Sequence, residues 1–241
     1  VTGSAFVETY RSPSGHTVGF SHANMGNLGL LAREPGESID EIYAHRRAVE
    51  KQAGIAEGTT VFLHQVHSAT VVEADSLPGW SQTTDSVVAD ASISATGATP
   101  LAILVADCMP VVFTTSGKAT AVAHAGRVGL LSGVLQNTIA TLREHEPEAE
   151  ITAWIGPSIC GRCYEVPEQM RSEASAVMPV MYSTTSWQTP ALDLPAAGQQ
   201  LMEDLGVTVH RTQICTLEDS RVFSHRGGHP VGRCAGMVFA D

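Results

Sequence analysis

Basic residues are scarce in this sequence: 14 Lys and Arg stand against 25 Asp and Glu, a formal charge of −11 at pH 7. The chain therefore lacks the positive footprint that polymeric nucleic acid or an anionic lipid surface requires, and a small-molecule partner fits better. Long apolar runs are also missing. The charge-free stretch Ala91 to Ala106 is too short for a bilayer and is broken by Gly97 and Pro100, so no membrane span is expected. The first residues, VTGSAFVETY, have neither the basic region nor the apolar core of a secretory signal, which makes the cytoplasm the expected compartment. Cysteine is sparse and odd in number, at Cys108, Cys160, Cys163, Cys215 and Cys234. That argues against a disulfide framework and for reduced thiols.

What is present suffices for a sizeable core. With 241 residues, 43% of them hydrophobic, one domain spanning residues 1–241 is the expectation. Short β-like patterns at 5–10 and 17–20 lead into a glycine- and asparagine-rich shaped loop at 22–29. Ser38-Ile-Asp-Glu41 reads as a capping box and Gly54 as a stop, which predicts a helix of about 15 residues between them. TVFLHQV (60–66) and ATVVEA (69–74) read as paired strands, followed by strands at 85–89 and 101–105. The last is apolar at every position and is expected at the centre of a sheet. MPVVFTT (109–115) and KATAVAHA (118–125) flank Ser116-Gly117, a two-residue hairpin signal. Helical periodicity covers Val128 to about His145, and helices are predicted from Pro167 to Met178 and from Asp193 to Gly206. ITAWIG (151–156), VTVHR, RVFSH and AGMVFA read as further strands, and residues 183–190 as a mobile loop. Strands in adjacent runs with helices only at intervals predict an α+β fold, layered β-sheets with helices packed outside.

The hairpin carries Cys108 and His124 at its two ends, and His67 lies at another strand end. A thiolate and two imidazoles suit zinc with an open fourth position, while a buried structural Cys with hydrogen-bonded His residues is the alternative. His64-Gln-Val-His67 has a spacing that puts its two imidazoles on neither one strand face nor the best helix face. His67 is then the ligand, and His64 a proton-transfer or supporting group. Cys160-Gly-Arg-Cys163 has no second C-x-x-C and reads as structural thiols. His124-Ala-Gly-Arg127-Val-Gly129 stands where strand becomes helix, with backbone N–H groups and Arg127 available to an anion. Arg226 to Arg233 clusters arginines with glycines, a second candidate lip for phosphate or carboxylate.

Taken in order, these segments resemble the YfiH/laccase-domain family of purine nucleoside phosphorylases, once taken for multicopper polyphenol oxidases. The resemblance rests on Asn27-Leu-Gly29, Gln65-Val-His67, Asp85 in DSVV, Ala106-Asp107-Cys108-Met-Pro110, Val122-Ala-His124-Ala-Gly126, Ile155-Gly-Pro157 with Cys163-Tyr-Glu165-Val, Cys215-Thr, Phe223-Ser and Gly232-Arg233. It implies a zinc held by His67, Cys108 and His124, and a pocket acting on adenosine, inosine, guanosine or methylthioadenosine with phosphate, with adenosine deamination as a further activity. Cys108, His64 and Asp107 are the catalytic candidates. Arg46, Arg127 and Arg233 are candidates for the anion, and Asn27 and Gln65 complete the substrate-binding set. A monomer or small homo-oligomer is expected. Two segments depart from the family: His124-Ala-Gly-Arg127-Val-Gly129 stands for H-A-G-W-R-G, and Ser224-His225-Arg226-Gly227 for S-Y-R-R. The alternatives are a catalytically impaired purine-binding member and a copper-binding, laccase-like polyphenol oxidase. Copper suits N and S ligands, but the ten histidines include no H-x-H pair from which a trinuclear copper centre is built.

Overall fold

The computed structural model describes residues 4–82, 85–228 and 232–240. In chain order the strands are β1 (Phe6–Arg11), β2 (His16–Ser21), β3 (Val71–Glu73), β4 (Ala91–Ser94), β5 (Leu101–Val105), β6 (Met109–Thr115), β7 (Thr120–Ala125), β8 (Ile151–Ile155), β9 (Tyr182–Thr184), β10 (Pro190–Leu192), β11 (Thr208–Arg211) and β12 (Cys234–Ala240). The helices are α1 (Ile39–Ala53), α2 (Arg127–Leu131), α3 (Val134–His145), α4 (Glu168–Val177) and α5 (Leu194–Asp204).

Two sheets face each other. One is four-stranded, in the order β1-β2-β12-β5, and the other six-stranded, in the order β11-β8-β6-β7-β4-β3. Period-2 alternation assigns the faces. Val112, Val122 and Trp154 of the larger sheet meet Phe20, Ile103 and Val238 of the smaller one. Val111 and Phe113 point the other way, into a cluster with Leu135, Ile139 and Met202 of α3 and α5. On the far side of the smaller sheet, Met237 and Phe239 pack with Val49 of α1 and with Phe62. The result is a four-layer α+β arrangement with helices outside two sheets, as the sequence predicts. Both bonds of the Ser38/Glu41 capping box form, and Gly54 takes the left-handed C-cap.

Several local expectations are corrected. The central strand buried on both faces is β6, every residue of which is buried between β7 and β8. β5 pairs with β12 at the end of the smaller sheet and owes its burial to the sheet facing it and to the segment around Val61 alongside. Apolarity reports coverage of faces, not place in the ladder. Residues 60–66 do not pair with 69–74: Val61 bridges Leu101 and His64 bridges Val88, whereas β3 lies parallel to β4. The backbone N–H groups of Val66, His67 and Ser68 turn instead to the Asp90 carboxylate. For the same reason 85–89 contributes one bridge and no strand. The helix expected from Val128 is split at Gly133, whose φ is +95°. Residues 183–190 form part of the β9–β10 hairpin, closed by the Thr185 N–H to Thr189 carbonyl bond. The β6–β7 turn is longer than two residues, since the Thr115 N–H reaches the Ala119 carbonyl. Residues 221–225 are a turn whose Ser224 hydroxyl donates to Asp107.

A buried ion pair joins α1 to the loop before β4. The Arg46 guanidinium donates to both Asp85 oxygens at 2.8 and 2.6 Å and to the Leu28 carbonyl, and it stacks 3.8 Å from the Phe62 ring centre. Each of its three nitrogens thus donates to a protein group. Arg46→Met leaves the Asp85 carboxylate buried without its partner, and the expected cost is about 3–5 kcal/mol in denaturant unfolding. An unchanged midpoint would show the pair to be dispensable.

Candidate metal centre and cavity

The hairpin β6–β7 sets His124 opposite Pro110, so that Cys108, two residues earlier, falls beside the imidazole. His67 arrives from the turn after residue 66. Ligand atoms of His67, Cys108 and His124 lie within 4.8 Å of one another, the Cys108 Sγ to His67 Nε2 distance is 3.7 Å, and the two imidazole centres are 4.7 Å apart. Ligands on a tetrahedral zinc stand about 3.5 Å from each other, so the triad fits such an ion with little movement. Gly126 makes room for it: a Cβ there would lie 2.8 Å from both Cys108 Sγ and His67 Cδ2. Backbone strain gathers at the same place. Of the four non-glycine described residues with positive φ, His67 (63°), Asp85 (53°) and Asp107 (83°) border the triad or its cavity, whereas Gln188 sits in a hairpin turn.

Asp90, fully buried, is the residue the sequence reading missed. Its Oδ1 accepts from the His67 N–H and His124 Nδ1, and its Oδ2 from the Val66 N–H, the Ser68 N–H and the Ser68 hydroxyl. Burial pushes its pKa up, but the hydrogen bonds from His124 and Ser68 outweigh this and hold it down at about 2. An ionised carboxylate only accepts, so His124 Nδ1 carries the proton and Nε2 is turned to Cys108. Burial likewise opposes the charged forms of the other two groups. Bonds from His124 and His67 nonetheless lower Cys108 to about 6, and bonds to Asp90 and Cys108 raise His124 to about 9. Without an ion the pair is thiolate and imidazolium between those values, and a cation would take the place of the His124 proton. The one available signal was an acid set within the apolar run Val87 to Ile93, since a buried carboxylate demands donors.

The triad opens on a cavity of about 440 Å³ whose wall includes Gln65, Leu104, Asp85, His225 and Arg233. The Gln65 amide is engaged on both sides, donating to the Leu104 carbonyl and accepting its N–H. Asn27 stands behind the wall, its Oδ1 accepting from the N–H groups of Gly29 and Arg233. Arg127 opens α2 near Tyr164. Burial and the Cys108 charge raise the Tyr164 hydroxyl while Arg127 and Arg226 oppose them, and Arg226 lies 5.4 Å from that ring. His64, Asp107, Arg46 and Arg127 do not line the cavity. Asp107 accepts from the Thr216 and Ser224 hydroxyls and the Arg226 N–H. Residues 229–231 of the expected arginine lip lie outside the described residues.

The family model described as multi-copper polyphenol oxidoreductase laccase matches residues 13–241. The chain belongs to that laccase family. Among its relatives, a protein of Streptomyces coelicolor named purine nucleoside phosphorylase is 38% identical over 245 aligned positions, covering 100% of this chain and 97% of that one. One of Corynebacterium glutamicum with the same name is 33% identical, covering 87% and 85%. The solved structure of Neisseria meningitidis protein NMB0706 superposes with a TM-score of 0.82 at 29% identity, covering 97% and 98%. The Bacillus licheniformis protein YfiH shares the fold, with a TM-score of 0.80 at 24% identity over 94% and 93%. No described helix of this family member is long and apolar enough to cross a membrane.

The electrostatics predict the behaviour of the metal-free protein. A thiol is alkylated as its thiolate, which forms as pH rises through the pKa, so Cys108 alkylation by iodoacetamide should reach half its maximal rate near pH 6 and shift upward in His124→Ala. A midpoint in the ordinary thiol range, about 8.5, would contradict the arrangement.

Proposed function

We propose that the chain is a zinc-dependent purine nucleoside phosphorylase, acting on adenosine, inosine, guanosine or methylthioadenosine with phosphate, that also deaminates adenosine. The observation that carries this is the meeting of His67, Cys108 and His124 on the wall of a nucleoside-sized cavity that also presents Arg233 and His225. The names carried by relatives at 38% and 33% identity support the same reading.

The donor set is two imidazoles and a thiolate, borderline and soft ligands that suit zinc, and the Asp90 bond to His124 is the usual outer support of such a ligand. Zinc held there supplies a Lewis acid, for which Cu²⁺ is an alternative occupant. The protein's own groups do the rest. Phosphorolysis forms a bond from a phosphate oxygen to the anomeric carbon as the bond to the purine nitrogen breaks, giving free base and sugar 1-phosphate. Arg233 on the cavity wall supplies positive charge to align the phosphate and stabilise the charge that develops, and Arg127, outside the lining at the start of α2, adds to the positive field. In deamination, water replaces the 6-amino group and ammonia leaves, which requires a proton to pass from the water to the departing nitrogen; His225 on the wall is better placed to move it than His64, which does not line the cavity. Asp107, already holding three donors, acts by positioning Cys108.

The assay is direct. Inosine with phosphate should give hypoxanthine and ribose 1-phosphate, adenosine should also release ammonia, and Cys108→Ala should lower both rates by about a hundredfold or more, as loss of a group acting on the transition state does. Phenol oxidation without phosphate-dependent cleavage, or a fully active Cys108→Ala, would overturn the proposal.

A further inference from the structure

Four residues from two separate loops, none of them lining the cavity, meet at the end of the larger sheet. β8 and β11 are parallel neighbours, in register from Thr152 and Thr208 to Ile155 and Arg211, so the loops leaving their C-terminal ends run side by side. A bridge between Ser158 and Cys215 prolongs the pairing. The first loop carries Cys160-Gly-Arg-Cys163 and the second Cys215-Thr-Leu-Glu218. Each closes a tight turn: the N–H of Cys163 donates to the Cys160 carbonyl, and that of Glu218 to the Cys215 carbonyl. Each turn thereby presents its first and fourth side chains together. The three sulfurs and a Glu218 oxygen lie within 4.8 Å of one another, and the Cys160 N–H points at Cys215 Sγ at 3.4 Å.

We propose that Cys160, Cys163, Cys215 and Glu218 form a second zinc site, separate from the triad and structural in character. The C-x-x-C motif alone lacked partners, and the parallel pairing of β8 with β11 supplies them. Three free thiols cannot be used up by one disulfide, whereas one tetrahedral ion engages all three and takes its fourth ligand from the carboxylate. Three thiolates and an oxygen are a donor set that zinc accepts, and thiolate softness selects against magnesium and calcium. Cys163 and Cys215 are buried and fixed by their turns, while Glu218, half exposed and 4.0 Å from Arg162, closes the site from outside. Binding releases the thiol protons to solvent and changes no oxidation state. The ion would clamp the two loops that hold Asp107, since Ile159 donates its N–H to the Asp107 carbonyl and Thr216 its hydroxyl to the carboxylate. It therefore braces the residue next to Cys108 without facing the cavity.

The site is tested in a Cys108→Ala background, where the triad no longer reports and the outcome is independent of the proposed activity. The metal-free, reduced full chain is titrated with Co²⁺ and then with Zn²⁺. The expected result is one equivalent bound with a sulfur-to-cobalt absorption band displaced by zinc, and loss of that band in Cys108→Ala/Cys163→Ser. So that the test does not depend on the folding of the double variant, alkylation followed by mass spectrometry is done on Cys108→Ala itself. Zinc should protect Cys160, Cys163 and Cys215 at least tenfold against iodoacetamide, and chelation should remove the protection. A folded Cys108→Ala chain that binds no cobalt, equal alkylation with and without zinc, or a disulfide among these cysteines in the protein isolated without reductant would each overturn the proposal.

Discussion

The Asp90 carboxylate is the interaction on which the site depends. Buried at the start of β4, it gathers five donors from two separate pieces of chain. Three are the backbone N–H groups of the turn that carries His67, and one is the imidazole of His124 on the neighbouring β7. A single charge thus fixes where His67 leaves its segment and which nitrogen of His124 faces Cys108. A charge so fully buried is costly unless it is hydrogen-bonded, and here the donors hold it ionised. The positive φ of His67, 63°, is the strain that this grip maintains.

The rest of the architecture holds that carboxylate in register with the hairpin. β4 pairs with β7 from Ala91 opposite Ala123 onward, so Asp90 sits beside His124 by sheet register alone. β6 and β7 are buried on both faces, each large apolar side chain contributing about 1.5–3 kcal/mol, which makes the hairpin a rigid base for Cys108. The opposite wall of the cavity is set by the Arg46–Asp85 pair and by Asn27, which ties Gly29 to Arg233. The glycine at 29 is needed there, because a Cβ would come 2.8 Å from Arg233 Cγ.

Much of this was legible in the sequence. The capping box, the hairpin strands, the α+β layering and the meeting of Cys108 with His124 follow from local periodicity and turn chemistry, which the fold respects. What was not legible depended on long-range partners. Residues 60–66 have the composition of a strand, but the N–H of Val66 and those of the two residues after it are claimed by Asp90, 24 positions on from Val66. β5 has the composition of a central strand, but lies at the end of its ladder because coverage by a second sheet leaves the same apolar pattern. Arg46 looked available for an anion, and its burial against Asp85 emerges only from the packing of α1. The cysteine pair at 160 and 163 acquired neighbours through a parallel pairing that no spacing rule contains.

The account stands most directly on the zinc affinity of the His67–Cys108–His124 triad in Asp90→Asn, measured by competition with a chromophoric chelator on a chain whose circular dichroism matches the wild type, with the zinc still bound by Cys108→Ala subtracted. Replacing an ionised carboxylate behind a metal-bound imidazole weakens binding by about 10–100-fold, and that is the predicted result. An affinity equal to that of the wild-type chain would contradict the claim that Asp90 organises the site.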